Sequence, residues 1–431
     1  MGTRTLFPCD ERGLALPMAM VVMLILSALA VGLSALSATE PVIAVNHLLG
    51  VQTRSLAEAG VERAVWALKN AGHVLGISGP GRIPAPYDGS RLLLVPIGPY
   101  ATGGFRVTVA AWDTIPYPAE CPAPSSMSRA DRCIVSVGWV PDDTTSGRKA
   151  HRKIAVVLSN PRLFFTDPPA ALSVRGGLEL GDNTLIDARR DSTCGSKVGT
   201  LTTALTSTSA LNAQVWGAAD SNNTSNEVTD AADGPLPSSA HDIVTNLAAT
   251  SFDQFTWSDA DIDSLRRYAK AHGTYRQGIQ RFGSGNLPNG VVFVDTLSGA
   301  NIIPEGSLPA TPVSDFAVVN IAGDAPADAS GIFRGVLFVN GTLSISGSFR
   351  MRGLLYAQND LSYHATGAGG ITGAVISRNI RDRSSTSIDS DRLGTASVVY
   401  DCVDARTGGN TLPDAWEATS GTYRELCDTC T

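Results

Sequence analysis

Charge is scarce in this chain and unevenly placed. Of its 431 residues only 17% are Asp, Glu, Lys or Arg, and the net charge is -7. No block of Lys or Arg occurs, so nucleic acid is not an expected partner. Not one charged residue lies between Arg12 and Glu40. The sequence lacks a G-x-S-x-G elbow and a phosphate loop of the Walker type. Its histidines, at 47, 73, 151, 241, 272 and 364, show no metal-ligand spacing. These absences remove the signatures of the commonest hydrolase, nucleotide and zinc chemistries. The expectation is a protein that is not an enzyme and takes no cofactor or metal.

The uncharged stretch is apolar. It runs from Leu14 and Leu16 through Met18, Val21, Leu24, Ile25, Leu29 and Leu33. A bilayer core of about 30 Å takes roughly 20 helical residues, so this stretch is long enough to cross one. Its continuation, Asn46 to Asn70, has helical spacing. Ala57, Val61, Ala64, Val65 and Leu68 form one stripe, with Glu58, Glu62, Arg63 and Lys69 off it. This half is expected to leave the membrane and pack its stripe on a globular domain. Pro17 falls in the first turn, where a missing N–H costs little. Pro41 predicts a kink or local melting near 37–41.

Beyond residue 70, Gly (43 in the chain) and Pro (24) point to turns and short strands. Residues 71–100 read as loop. Strand-like runs follow at 104–110, 133–139 and 153–158, rich in β-branched and aromatic residues. The expected fold class is α+β: the long N-terminal helix with a small antiparallel sheet over 14–160, then a β-rich head over 161–431. In the head, glycines 335, 353 and 373 recur at spacings of 18 and 20, each opening a unit of two brief strands. Stacked units of this kind bury what one cannot, which predicts a parallel β-solenoid; a sandwich of hairpins is the alternative. Residues 195–285 read as an insertion, loose over 200–237, with a helix capped at Ser258 and running through Ile262, Leu265, Tyr268 and Ala269.

Seven cysteines are present. Cys9 lies in the polar leader, and six follow: Cys121, Cys133, Cys194, Cys402, Cys427 and Cys430. In an exported chain this reads as up to three disulfides, with 15 connectivities open. Cys121–Cys133 is favoured because only a short polar loop separates the two. The tail after Asp401 is expected to be stapled back onto the head, with Cys194 a candidate partner. Cys427-x-x-Cys430 with Cys194 and Cys402 would be a zinc reading, which an oxidising compartment disfavours. Asp259-x-Asp261-x-Asp263 resembles a calcium loop but lacks its glycine and its later glutamate, and it fits a helix first turn equally well. Arg350, Arg352, Arg378, Arg381 and Arg383 cluster near the last repeats. They read as a solvated rim, with a polysaccharide-active face as the rival.

Residues Arg12-Gly13-Leu14-Ala15-Leu16, with the apolar run after them, resemble the signal processed by prepilin peptidase in type IV pilins. Leu56-Ala57-Glu58-Ala59-Gly60-Val61-Glu62 resembles the segment closing this helix in PilX-type minor pilins and pilus assembly proteins. The resemblance implies cleavage after Gly13, with Leu14 the first mature residue and methylated. It implies helix packing through Leu16, Met18, Val21, Leu24, Ile25 and Leu29. Implied partners are other pilins and pseudopilins, prepilin peptidase, an inner-membrane assembly platform and a tip adhesin. The implied location is a single inner-membrane pass with a periplasmic head, then the fibre. Met18 departs from the family, whose major members carry a glutamate there. That departure and the bulky head match the K-type minor pseudopilin of type II secretion, which sits at the tip. The expectation is a non-catalytic minor pilin that primes assembly or caps the fibre. The alternative is a signal-anchored β-solenoid enzyme or carbohydrate binder.

Overall fold

The computed structural model describes residues 15–71, 77, 79, 81–97, 102–141, 149–164, 168–181, 183–191, 193–208, 213–217, 241–304, 307, 309–365, 369–381 and 391–426. Cys9, Gly13, Leu14, Arg383, Cys427 and Cys430 lie outside them.

Helix α1 (Ala15–Lys69) is 55 residues long, about 80 Å at 1.5 Å per residue. It runs unbroken through Pro41, so the melting expected at 37–41 does not occur. Four strands follow: β1 (Leu93–Pro96), β2 (Thr102–Ala110), β3 (Asp131–Val140) and β4 (Ala150–Ser159). They pair in order as an antiparallel sheet. Strand β1 lies inside the stretch read as loop.

Two small-residue contacts bring α1 onto this sheet. A Cβ on Gly138 of β3 would lie 2.1 Å from the Thr53 carbonyl oxygen and 2.6 Å from the Ala57 nitrogen. A Cβ on Gly60 would lie 2.1 Å from Ser136 Oγ. Around them, Ala64, Ala67 and Leu68 are buried with Val107, Val109, Ile134, Val156 and Leu158, while Val61 and Val65 are half-buried against the same cluster.

The tail is stapled to the head through Cys194–Cys402, as expected, and then runs on to the first sheet. Glu417–Ala418 and Arg424–Leu426 pair antiparallel with β4, and Trp416 enters the α1 cluster. The head is therefore held between two passes of the first sheet: it leaves after Ser159 and the chain returns at Glu417.

The head is built on two parallel sheets. In one, Thr274–Gln277, Gly290–Asp295, Phe333–Val339, Arg350–Ala357 and Gly370–Ser377 are successive neighbours. In the other, the neighbours are Ile279–Phe282, Ala317–Ile321, Gly341–Gly347, Leu361–Ala365 and Asp391–Gly394. The repeat glycines align: Gly290, Gly335, Gly353 and Gly373 share one column. Gly353 has φ +137, and a Cβ there would meet the Gly335 carbonyl oxygen at 1.9 Å. The spacing is thus a steric requirement of close strand stacking.

The stacking order departs from the chain order. Ala170–Val174 and Leu178–Gly181 sit beside Gly370–Ser377 and Asp391–Gly394. Beyond them come Val198–Thr202, Thr206–Thr208 and then Ile243–Val244. The chain enters mid-stack, steps out to residue 244, crosses to the far side through residues 245–273, and steps back. Residues 195–285 are therefore not an insertion between pieces: their strands are members of the stack. The composition of Thr200 to Pro237 predicts a loose segment, yet its first residues are paired strands; 209–212 and 218–240 lie outside the described residues.

Candidate functional site

The candidate site is the surface of α1, and the sequence sets its two halves against each other. In the N-terminal half, Leu16, Met18, Val21, Leu24, Ile25 and Leu29 are all exposed. The helix is long and apolar enough to cross a membrane, and none of that apolar window is buried. Its first turn holds no acidic residue, and Met18 stands 70% exposed. Ser27 Oγ donates to the Met23 carbonyl at 2.6 Å and Thr39 Oγ1 to that of Leu36 at 2.8 Å. These two hydroxyls thus satisfy themselves inside the helix, as suits a non-aqueous environment. Apolar exposure continues well past the span, through Val42, Ile43, Val45, Leu48 and Val51.

The C-terminal half is the anchor of the folded body. Thr53 is fully buried, and its Oγ1 donates to the Leu49 carbonyl at 2.9 Å. Beside it, between the helix, β4 and the tail, lies a groove of about 700 Å³ bordered by Glu58, Val61, Val65, Trp416 and Tyr423. Arg54 and Glu58 pair at 3.0 Å on its rim.

The head is fixed to this anchor through a helix, Asp259–His272. Ser258 and Asp261 form a capping box at its start, so the Asp259-x-Asp261-x-Asp263 run is a helix first turn. Asp261, 1% exposed, also accepts from the Arg129 backbone N–H at 2.7 Å and from Ser128 Oγ at 3.1 Å, in the loop before β3. Ser264 Oγ donates to Asp131 Oδ1 at 3.3 Å. Burial raises the Asp131 carboxyl above its ordinary value, and it pulls the neighbouring Arg132 guanidinium down to about 10. On its other face the helix holds the parallel stack: Arg266 Nε donates to Asp295 Oδ2 at 2.6 Å, and Asn340 Nδ2 donates to Asp295 Oδ1 at 2.8 Å. The Trp257 ring stacks nearly parallel on Tyr356, with ring centres 4.5 Å apart, over a column that runs Tyr275, Phe293, Phe338, Tyr356. Its indole N–H donates to the Phe164 carbonyl at 2.5 Å.

Cys121–Cys133 is bonded, as is Cys194–Cys402. Among the described residues no group of His, Cys, Asp and Glu is placed to hold a metal ion. The arginines do not converge: Arg350 donates to the Ser330 carbonyl, Arg352 to Asp404, Arg378 to Gln358 and Arg381 to the Thr311 carbonyl. Sequence reasoning missed Thr53, Asp261 as a joint, and Trp257; only the Ser258 cap hinted at the second.

No family model matches the chain, and no curated protein matches it. Among solved structures, it aligns with the competence-associated pilin ComZ from Thermus thermophilus, at 12% identity over 88% of this chain and 97% of that one, with a TM-score of 0.20. An overlap that loose carries no argument about fold or function.

Proposed function

We propose that this chain is a minor pilin or pseudopilin, which acts by helix packing and presents a large head outside the membrane. One observation carries the reading. Exposed apolar residues run from Leu16 to Val51, about 54 Å of helix, whereas a bilayer core is about 30 Å thick. A plain anchor would need no apolar surface beyond the span; a helix destined to pack among other helices does. The C-terminal half has its partner already, in the antiparallel sheet.

In this reading prepilin peptidase cuts after Gly13, Leu14 becomes the methylated N-terminus, and α1 waits in the inner membrane until an assembly platform adds it to a fibre. Met18 supports a place at the tip, because no carboxylate is there to pair with the N-terminus of a subunit ahead. The head, read as a β-solenoid of stacked two-strand units, is too bulky for regular shaft packing. It would cap the fibre or hold a tip adhesin, and the protein is non-catalytic.

Mass spectrometry of the mature N-terminus tests this. The expected chain begins at Leu14 where prepilin peptidase is present and at Met1 where it is deleted. An intact leader alongside active peptidase, or cleavage near residue 36, would overturn the reading. Polysaccharide cleavage by the purified protein would overturn its non-catalytic part.

A further inference from the structure

The parallel stack is finished differently at its two extremes. Beyond Ile243–Val244, residues Leu247 and Phe252 pack with Ala170, Val198, Leu201 and Val244 and close the interior. At the opposite extreme, Thr274–Gln277 and Ile279–Phe282 are the outermost strands of the two sheets, and no described strand pairs with their outer edges. An uncovered edge presents a row of backbone donors and acceptors that templates another strand. Ile279 is 67% exposed there, and Leu297 beside it 59%.

The strands at this extreme carry cations and no carboxylate. Arg276 and Arg281 are exposed, and neither forms an ion pair with any described residue. Arg276 aligns with Val294, at the mouth of the interior, and Arg281 with Asn320 on the outer surface. Lys270 adds a third cation, 4.4 Å above the Tyr275 ring. Of the nearby carboxylates, Asp295 is buried on Arg266 and Tyr275, while Asp324 and Asp315 are hydrogen-bonded by Ser284 and Ser298 and keep their charge, set back from the strand edge in the following turns. A second copy stacked here would set Arg276 and Arg281 against their own kind, which is unfavourable across strands.

We infer that this edge receives an extended, acidic segment of another protein, which adds a strand beside Ile279–Phe282. Backbone pairing would supply the docking, Ile279 and Leu297 the apolar contact, and Arg276 and Arg281 the selection of partner by charge. The inference stands on the head alone and survives if the helix reading fails.

The test uses the full chain in detergent and a fluorescent peptide of alternating valine and acidic residues, Glu-Val-Asp-Val-Glu-Val-Asp. Two further probes are its lysine counterpart and a copy N-methylated on alternate amides. Anisotropy is expected to show binding of the acidic peptide alone. The double variant Arg276→Gln/Arg281→Gln should weaken it about tenfold, whereas Arg424→Gln, on the antiparallel sheet, should not. Equal binding by the N-methylated copy would overturn strand addition in favour of a bare charge patch. No binding, no loss in the double variant, or dimerisation through this edge in sedimentation would overturn the inference itself.

Discussion

Asp261 and Arg129 lie 132 residues apart in sequence, yet the carboxylate of the first accepts from the backbone N–H of the second at 2.7 Å. The same carboxylate caps its own helix. One buried side chain thus closes a helix terminus and fastens the head to the sheet that carries α1. Asp261→Ala would leave the part-buried N–H groups of Arg129 and Ser258 without this acceptor, at about 1 kcal/mol each, towards the low end of the cost of an unsatisfied donor. The expected result is a loss of about 2 kcal/mol in urea unfolding and faster proteolysis between the sheet and the head. Asp261→Asn, which keeps one acceptor oxygen, should lose less.

Gly138 tests the helix contact. A Cβ there meets α1 backbone at Thr53 and Ala57, one turn apart, so no rotamer change can relieve it. Overpacking of this kind costs about 1–3 kcal/mol. Gly138→Ala is expected to lower the unfolding midpoint by that equivalent in thermal denaturation and to raise proteolysis of α1 between Gly50 and Lys69. Gly81→Ala, which has open space around it, is the weaker comparison, since only its φ of +84 resists.

These two sites show what the sequence could carry. The stripe at Ala57, Val61, Ala64 and Leu68 was legible because helical period and burial coincide. The glycine column at 335, 353 and 373 was legible because close stacking forbids a side chain at a fixed interval. The return of the tail to β4 was not, because Glu417–Ala418 and Arg424–Leu426 are too short to carry a pattern. Nor was the order of the stack, since pairing between residues 174 and 377 leaves no local trace. Asp261 was read for its own helix, as the cap rules dictate; its second role depends on a loop more than a hundred residues away.

On the proposed function, the apolar stretch beyond the first bilayer thickness of helix yields a prediction of its own. Ile43 and Leu48 are 65% and 55% exposed and fall outside the first bilayer thickness of helix. Ile43→Lys/Leu48→Lys is expected to leave the protein resistant to carbonate extraction from membranes while removing it from sheared fibres. Leu24→Lys/Ile25→Lys, placed in the span, should reduce insertion itself, since each central charge costs about 2.5–3.5 kcal/mol. Loss of membrane association in the first pair would show that 42–51 is part of the anchor.

Acid sensitivity should centre on Asp187. It is buried, and burial pushes its carboxyl up. The hydrogen bonds from Arg189 and the charges of Arg189 and Arg190 outweigh that and hold it below the ordinary value. A depressed folded value means that the contribution is complete above the unfolded value of about 4 and is lost as pH falls through it towards the folded one. Asp187→Asn is expected to be less stable than the parent near neutrality, and the gap should narrow between pH 5 and pH 3 in urea titrations. A gap constant over that range would mean that the ion pair contributes nothing.

The two disulfides should differ in weight. Cys121–Cys133 closes a loop across 12 positions and Cys194–Cys402 one across 208. In the chain-entropy model these restrict the unfolded chain by about 3 and about 5 kcal/mol. Position sharpens the contrast. Cys121–Cys133 lies within one sheet region, whereas Cys194–Cys402 joins the outgoing limb of the stack to the returning one, where Asp191 also accepts from the Cys402 N–H at 2.6 Å. Both Cys133 and Cys402 are 1% exposed, so Cys→Ser puts a comparable hydroxyl into each site. Cys402→Ser is expected to lower the midpoint of urea unfolding more than Cys133→Ser. Mild reduction of the parent should reproduce the larger effect, and equal effects would mean that the head's stacking already holds the two limbs together without the bond.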